Sequence, residues 1–200
     1  MDRKLMRLQR AIYRSNRVHI YEKDLADEAP EPETLIDVEW RTGTHSDVDA
    51  LTVTDHNYDD TRKRLAHIAL DEGAELVVAE HSGEVAHLCW TGYKRLELSG
   101  LVIPLPDGRV FMYDARTPEK FRGRQLHGAG MRVRASRARA AGYRFAVGLA
   151  DSTSPTSSHN FEREGFRLLG TVHMRRLFRK FRMTELNPEV KAYIANQVAR

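Results

Sequence analysis

The chain holds one cysteine, Cys89, in 200 residues. No internal disulfide can form, a cysteine-based zinc site is excluded, and the usage fits a reducing cytoplasm, where the protein is expected to reside. Long apolar runs are missing too, and nothing approaches the roughly 18 residues of a membrane span. The first ten residues, MDRKLMRLQR, are charged but lead into no apolar stretch, so they do not read as a secretory signal. The sequence also lacks a Gly-rich loop ending in Lys and Ser or Thr, a dinucleotide fingerprint, His-Glu-x-x-His and Gly-x-Ser-x-Gly. P-loop, metal-hydrolase and serine-hydrolase chemistry thus lose their usual carriers, and no metal is expected. No zinc finger or RNP aromatic pair occurs, so no specific nucleic-acid partner is expected.

What is present is an ordinary globular composition, 41% apolar and 30% charged, with a formal net charge of +4. Residues 1–200 are expected to form a single domain with a sizeable core. The basic residues are grouped at 3–17, at 132–139 and in RRLFRKFR at 175–182. Such groups suit anionic partners, whether phosphorylated cofactors, acidic proteins or anionic lipid. Leu5, Leu8 and Ile12 share one helical face amid basic residues, which is compatible with packing on the domain or with a weak membrane-surface contact. A homodimer is equally compatible with the composition.

Periodicity divides the chain into strands and helices. RVHIYEKDL at 17–25 and LIDVEW at 35–40 read as strands around an acidic, proline-bearing loop. Residues 59–73 read as a helix, capped by Asp59 or Asp60, with Leu65, Ile68 and Ala69 as its apolar stripe and Gly73 as its stop. AELVVAE and VAHLCWTGY flank the turn HSGE and predict a hairpin. A connection at 94–108 with a PDG turn leads into RVFMYDA at 109–115. A helix over about 124–141 follows, with Leu126, Ala129, Val133 and Ala140 on one face and Gly142 as the stop. YRFAVGLA at 143–150 reads as a covered central strand, followed by a short helix, a final strand at 166–178 and a helical tail opened by Asn187 and Pro188. The order predicts a mixed α/β domain.

The stretch TPEKFRGRQLHGAGM, residues 117–131, carries the chemistry. A strand that feeds a tight turn and then a helix aims unpaired amides and the positive helix end at one spot, which suits a phosphate. Glycine is required there only where φ is positive or the ligand passes too close for a Cβ. Gln125 and His127 can therefore supply backbone amides, and Arg122 and Arg124 add charge.

With its strand before and its helix after, RGRQLH (Arg122 to His127) resembles the Arg/Gln-x-x-Gly-x-Gly/Ala turn of the GNAT superfamily of N-acyltransferases. FEREGF (Phe161 to Phe166) resembles that family's second signature, and the elements between them fall in the family's order. The resemblance spans roughly residues 60–175. It implies a central mixed β-sheet flanked by helices, with a V-shaped split between the family's fourth and fifth strands. Acetyl-CoA or another acyl-CoA would be the cosubstrate, with pantetheine along the strand end at Ala115, Arg116 and Thr117. Pyrophosphate would sit on the turn Arg122, Gly123, Arg124, Gln125, Leu126, His127 and Gly128. Residues 1–58 would form the variable substrate side and 183–200 a helical tail. Two departures stand out: Gln125 and His127 replace small residues, and Phe161 replaces a Tyr that protonates the leaving thiolate in many members. Asn160, His159 and Ser157 are the nearby polar substitutes.

Acyl transfer to an amine needs a proton acceptor and an oxyanion donor, the latter commonly a backbone amide of the fourth strand in this family. Asp114, Glu80 and His87 are the candidate bases, and Tyr113 could contact substrate. Strict alternation places Tyr113 and Asp114 on opposite faces, so only one of them could serve. The expected function is acyl-CoA-dependent N-acyl transfer, most simply of acetyl, to the amine of a small molecule or amino sugar. Two alternatives are an N-acyl amino acid synthase-like enzyme fed by acyl carrier protein, and a non-catalytic acyl-CoA-binding or regulatory domain.

Overall fold

The computed structural model describes residues 13–26, 31–98, 101–177 and 180–184. In chain order the elements are β1 (Tyr13–Asp24), β2 (Glu39–Thr42), α1 (His45–Ala50), α2 (Val53–His56), α3 (Asp60–Asp71), β3 (Glu75–His81) and β4 (Glu84–Gly92). Then come β5 (Arg95–Leu98), β6 (Leu101–Pro104), β7 (Arg109–Arg116), α4 (Leu126–Ala140), β8 (Phe145–Asp151), α5 (Pro155–Arg163), β9 (Arg167–Leu177) and β10 (Lys180–Thr184). Eight strands form one mixed sheet in the order β10-β9-β1-β8-β7-β4-β3-β2, and β5 and β6 form a separate hairpin. Only β7 and β8 run parallel, joined by the α4 crossover; the other pairs are antiparallel.

Each face of the sheet is covered by a different set of side chains. On one face α4 and α5 pack Met131, Ala135, Ala138 and Phe161 against Tyr21, Val110, Met112 and Ala146. On the other face α1 to α3 cover β3 and β4, burying Val48, Leu51, Tyr58 and Ala66 against Leu76, Val78, Leu88 and Trp90. The β5–β6 hairpin covers the rest, setting Leu96 and Ile103 on Phe111 and Val147. Local chemistry starts the helices where expected: Asp59 accepts from the Arg62 amide at 2.8 Å, and Asp47 closes a capping box with Thr44. No helix among the described residues is long and apolar enough to cross a membrane.

Several expectations change in the fold. The strand expected over 35–40 is β2, which begins at Glu39 and runs to Thr42. On α3 the buried side chain is Ala66, while Leu65 and Ile68 stand 56% and 43% exposed. The helix presents its small residues to the sheet because β3 and β4 already bring large ones. On α4 the buried face runs through Met131, Arg134, Ala135 and Ala138, leaving Val133 half-buried and Ala140 exposed. Within the first segment, β1 lies inside the sheet between β8 and β9. Residues up to Thr184 belong to β10; the helical tail expected beyond them, and the apolar face of residues 5–12, lie outside the described residues.

The arginines of 132–139 are mostly spent within the protein. Arg132 pairs with buried Glu164 at 2.7 Å and Arg137 with Glu75 at 2.6 Å. Buried Arg134 donates to the carbonyls of Trp90 (2.9 Å) and Gly130 (3.1 Å). Arg139 alone of these is exposed.

Gly148, the last β8 residue paired with β7, faces the Phe161 ring, and a Cβ there would run into it. The Phe161 ring is held in place by stacking on Tyr21 at 5.1 Å and by Phe166. Gly148→Ala is therefore expected to lower stability by about 1–3 kcal/mol, read as a shift in urea midpoint at unchanged slope.

Candidate active site

The sheet opens at one point. β7 and β8 pair from Arg109↔Phe145 to Met112↔Gly148, and there the pairing ends although both strands continue. Beyond that point β7 holds on to β4 through Leu88↔Arg116, while β8 follows β1 through Ile20↔Leu149 and Val18↔Asp151. The β7 edge past Met112 thus faces a V-shaped split with no strand on it.

A bulge shapes this edge. The β4–β7 register jumps from Trp90↔Tyr113 to Leu88↔Arg116, so Asp114 and Ala115 together oppose Cys89. Asp114 adopts φ +41°, in the left-handed region that non-glycine residues rarely visit. Its side chain consequently swings to the same face as Tyr113. Tyr58 Oη donates to Asp114 Oδ2 at 2.7 Å, and Arg116 Nε donates to Asp114 Oδ1 at 2.8 Å. Trp90 Nε1 donates in turn to Tyr58 Oη at 2.8 Å, and Arg62 lies 3.6 Å from Asp114 Oδ1. Burial, reinforced by Asp114, pushes the Tyr58 hydroxyl well above its usual range, so it stays a donor. Tyr58, Arg62, Trp90 and Asp114 line a cavity of about 620 Å³ between α3, β4, β7 and the start of β5.

The second half of the site is the turn into α4. A 3₁₀ turn at Glu119–Phe121 leads to Gly123 at φ +74° and Gln125 at φ +63°, and Gln125 is the residue before the helix. The first bond of the ladder is Ala129 N–H to the Gln125 carbonyl at 3.1 Å. The amides of Leu126, His127 and Gly128 stay outside the ladder, no side chain caps them, and the first turn holds no acidic residue. Arg122 and Arg124 stand exposed beside them. Free amides at an uncapped helix N-terminus form a nest that can receive an anion.

No protein-family model matches the chain, and no curated protein matches it. Solved structures do. A GCN5-related N-acetyltransferase from Sphaerobacter thermophilus superposes with a TM-score of 0.60 at 17% identity, over 88% of this chain and 56% of that one. An acetyltransferase from the GNAT family of Colwellia psychrerythraea gives 0.56 at 9% identity, over 82% and 56%. A GCN5-related glucosamine N-acetyltransferase region of a fungal multi-domain GH3 β-N-acetylglucosaminidase gives 0.59 at 14%, over 86% of this chain and 22% of that chain. This chain has the GNAT fold. It spans little more than half the length of the two bacterial structures.

Within the GNAT fold the expected site residues separate into two groups. Asp114 and Tyr113 share the cavity, contrary to the alternation expected from sequence, because the bulge adds one residue and reverses the facing of the next. Ala115, Arg116 and Thr117 continue the open edge of β7 toward the anion nest of residues 122–128. Glu80 stands apart, bonded to Arg41 at 3.1 Å near the β2 edge. His87 is fully buried on the α4 face, its Nδ1 bonded to Thr117 Oγ1 at 2.8 Å and its Nε2 without a hydrogen-bond partner. Neither lines the cavity. Phe161 packs at the closed end of the split and offers no proton there. Tyr58, Arg62 and Trp90 complete the constellation and carried no sequence signal, since it takes the fold to bring α3 and β4 onto the bulge. Among the described residues no group of three or more His, Cys, Asp or Glu could hold a metal.

Gln125 bears a left-handed conformation that a glycine would take without strain. The penalty for an L-residue there is about 1–2 kcal/mol. Gln125→Gly is expected to match or exceed the parent in melting temperature, and Gln125→Val to fall below it by several degrees.

Burial, with Arg134 and Arg163 nearby, pushes the His127 imidazole down to about 4. Buried His87, beside it at 6.0 Å, is lowered in the same direction for the same reason. Both stay neutral in the fold near pH 6, whereas the unfolded chain takes up protons below about 6.5. Their contribution is complete above that pH and lost as pH falls toward 4, roughly 3 kcal/mol for His127. The stability–pH profile should therefore rise between pH 4 and 6.5, and His127→Asn should flatten it.

Proposed function

We propose that the chain transfers an acetyl group from acetyl-CoA to the amine of a small molecule. One observation carries this: the unpaired, bulged end of β7 lies between the free amides at the start of α4 and an open cavity. Pyrophosphate is assigned to the amides of Leu126, His127 and Gly128 with Arg122 and Arg124. The pantetheine amides are assigned to the free β7 edge at Ala115 to Thr117, as an added strand would pair there. The thioester then reaches the split beside Asp114, and the acceptor approaches from the cavity.

The amine nitrogen attacks the thioester carbonyl, the C–S bond breaks, and the nitrogen releases one proton. Asp114, oriented by Tyr58 and Arg116, is the carboxylate in the cavity closest to this point and is assigned to receive that proton, directly or through water. The oxyanion is assigned to backbone N–H groups of the bulged β7 edge. The thiolate leaves protonated by solvent, since Phe161 has no proton to give.

The neighbour named for glucosamine acetylation and the GNAT acetyltransferases support amine acetylation as the class of reaction. Phe161 favours a second reading, acyl-CoA binding without turnover. Acetyl-CoA at about 100 times its dissociation constant should stabilise the protein by roughly 2.7 kcal/mol, seen as a raised melting temperature. Amine-dependent release of free CoA, reduced about 10²-fold in Asp114→Asn with the melting shift retained, is the result expected of the enzyme. A melting shift with no CoA release from any amine would leave only the binding reading. No shift with acetyl-CoA would reject both.

A further inference from the structure

The cavity next to Asp114 has a charge balance and a wall chemistry that define what it admits. Two of its walls are apolar. Tyr113 is the part-exposed aromatic of the sheet wall, backed by buried Trp90 at 6.2 Å and buried Phe111 at 5.1 Å with rings 10° apart. Leu65 and Ile68 of α3 line the same cavity, and both are exposed. Surface of this kind gains by covering with an apolar body, at about 25 cal/mol per Å². A polyhydroxylated ring would lose water there without gaining hydrogen bonds in return.

The charged groups are unbalanced. Glu72 is taken by Arg95 across the cavity mouth. Asp114 is the one carboxylate between two guanidiniums, Arg116 at 2.7 Å and Arg62 at 3.6 Å. Lys94 lines the same space, and among the described residues its ammonium has no carboxylate partner. Arg62 thus shares Asp114 with Arg116, and with Lys94 the positive charge along the cavity exceeds the negative, Asp114 marking the reacting end.

We propose that the acceptor is an amine that also carries a carboxylate and an aromatic or branched apolar body, as in an apolar α-amino acid, with the carboxylate held by Arg62 and Lys94. This rests on the assignment of the cavity as the acceptor site of an acetyl transfer. The amine points to Asp114 and the split, the apolar body lies between Tyr113 and α3, and the carboxylate meets the guanidinium and ammonium. The volume of about 620 Å³ accommodates such a molecule and falls within the range of small-ligand sites.

The test uses three probes on the whole protein: L-phenylalanine, phenethylamine, which lacks only the carboxylate, and glucosamine. Binding is followed calorimetrically, and turnover as CoA release from acetyl-CoA. L-Phenylalanine is expected to bind and to turn over at least tenfold better than either other probe. Lys94→Gln and Arg62→Gln should each erode that preference several-fold, through Kd and KM more than kcat, and the pair together should abolish it. Equal or better use of phenethylamine or glucosamine would overturn the proposal, as would a preference that survives the double substitution. The two levels separate cleanly. Charge-dependent binding of L-phenylalanine with no response to acetyl-CoA would reject the acetyl transfer and keep the ligand class. Efficient acetylation of glucosamine alone would do the reverse.

Discussion

The site depends on the bulge at Asp114. In a regular strand residue 114 would point toward α4, into the layer of Val110 and Met112, where a carboxylate would be buried without partners. The extra residue opposite Cys89 and the left-handed φ turn it instead toward Tyr58 and Arg116. A non-glycine residue in that conformation costs on the order of 1 kcal/mol or more, and the three polar contacts with the β4 pairing on either side hold it there. The strain sits where the sheet comes apart, so one local distortion bends β7 from β8 and aims its only carboxylate at the cavity.

The anion nest depends on α4 in a different way. A helix whose N-terminus must stay uncapped forgoes the usual Ser, Thr or Asp cap, which is worth about 1 kcal/mol. Here the compensation lies in what anchors the helix further along. Arg134 is buried under it with its donors on two backbone carbonyls, while Arg132 and Arg137 tie it to Glu164 and Glu75. The glycines Gly128 and Gly130 let the helix lie close to Glu164 and His87; a Cβ on Gly130 would come within 2.9 Å of His87 Nε2. Positive charge at the turn then comes from backbone amides and exposed arginines, with His127 kept neutral by burial. The arginine-rich stretch that reads in sequence as a binding patch is largely internal scaffolding, which removes one motive for an acidic carrier protein as partner.

Local chemistry is why so much of the fold could be read in advance. Asp59 as a cap, the HSGE turn between two alternating segments and the apolar run of β8 each act over a few residues. The turn at 122–128 could be located for the same reason: a strand, a glycine and a helix in succession dictate free amides whatever the side chains. Three features could not be read so. The face of Asp114 depends on a bulge set by the pairing of β4 with β7. The exposure of Leu65 and Ile68 depends on which side chains β4 brings beneath α3. The place of β1 between β8 and β9 joins residues about 130 and 150 positions apart, and nothing in its own alternation names those partners.

By itself the sequence determined the types of α3, β3, β4, β7, α4, β8, α5 and β9, though not the β5–β6 hairpin, together with the position of the tight turn into α4 and the family whose fold the chain would take. These follow from spacing, capping and glycine placement, which are properties of short segments. Only the tertiary structure decided that Gln125 takes a left-handed conformation, that Glu80 and His87 stand away from the cavity, and that Tyr58, Arg62 and Trp90 gather around Asp114. Those outcomes depend on contacts between segments distant in the chain, where one residue of register reverses the face on which every side chain lies.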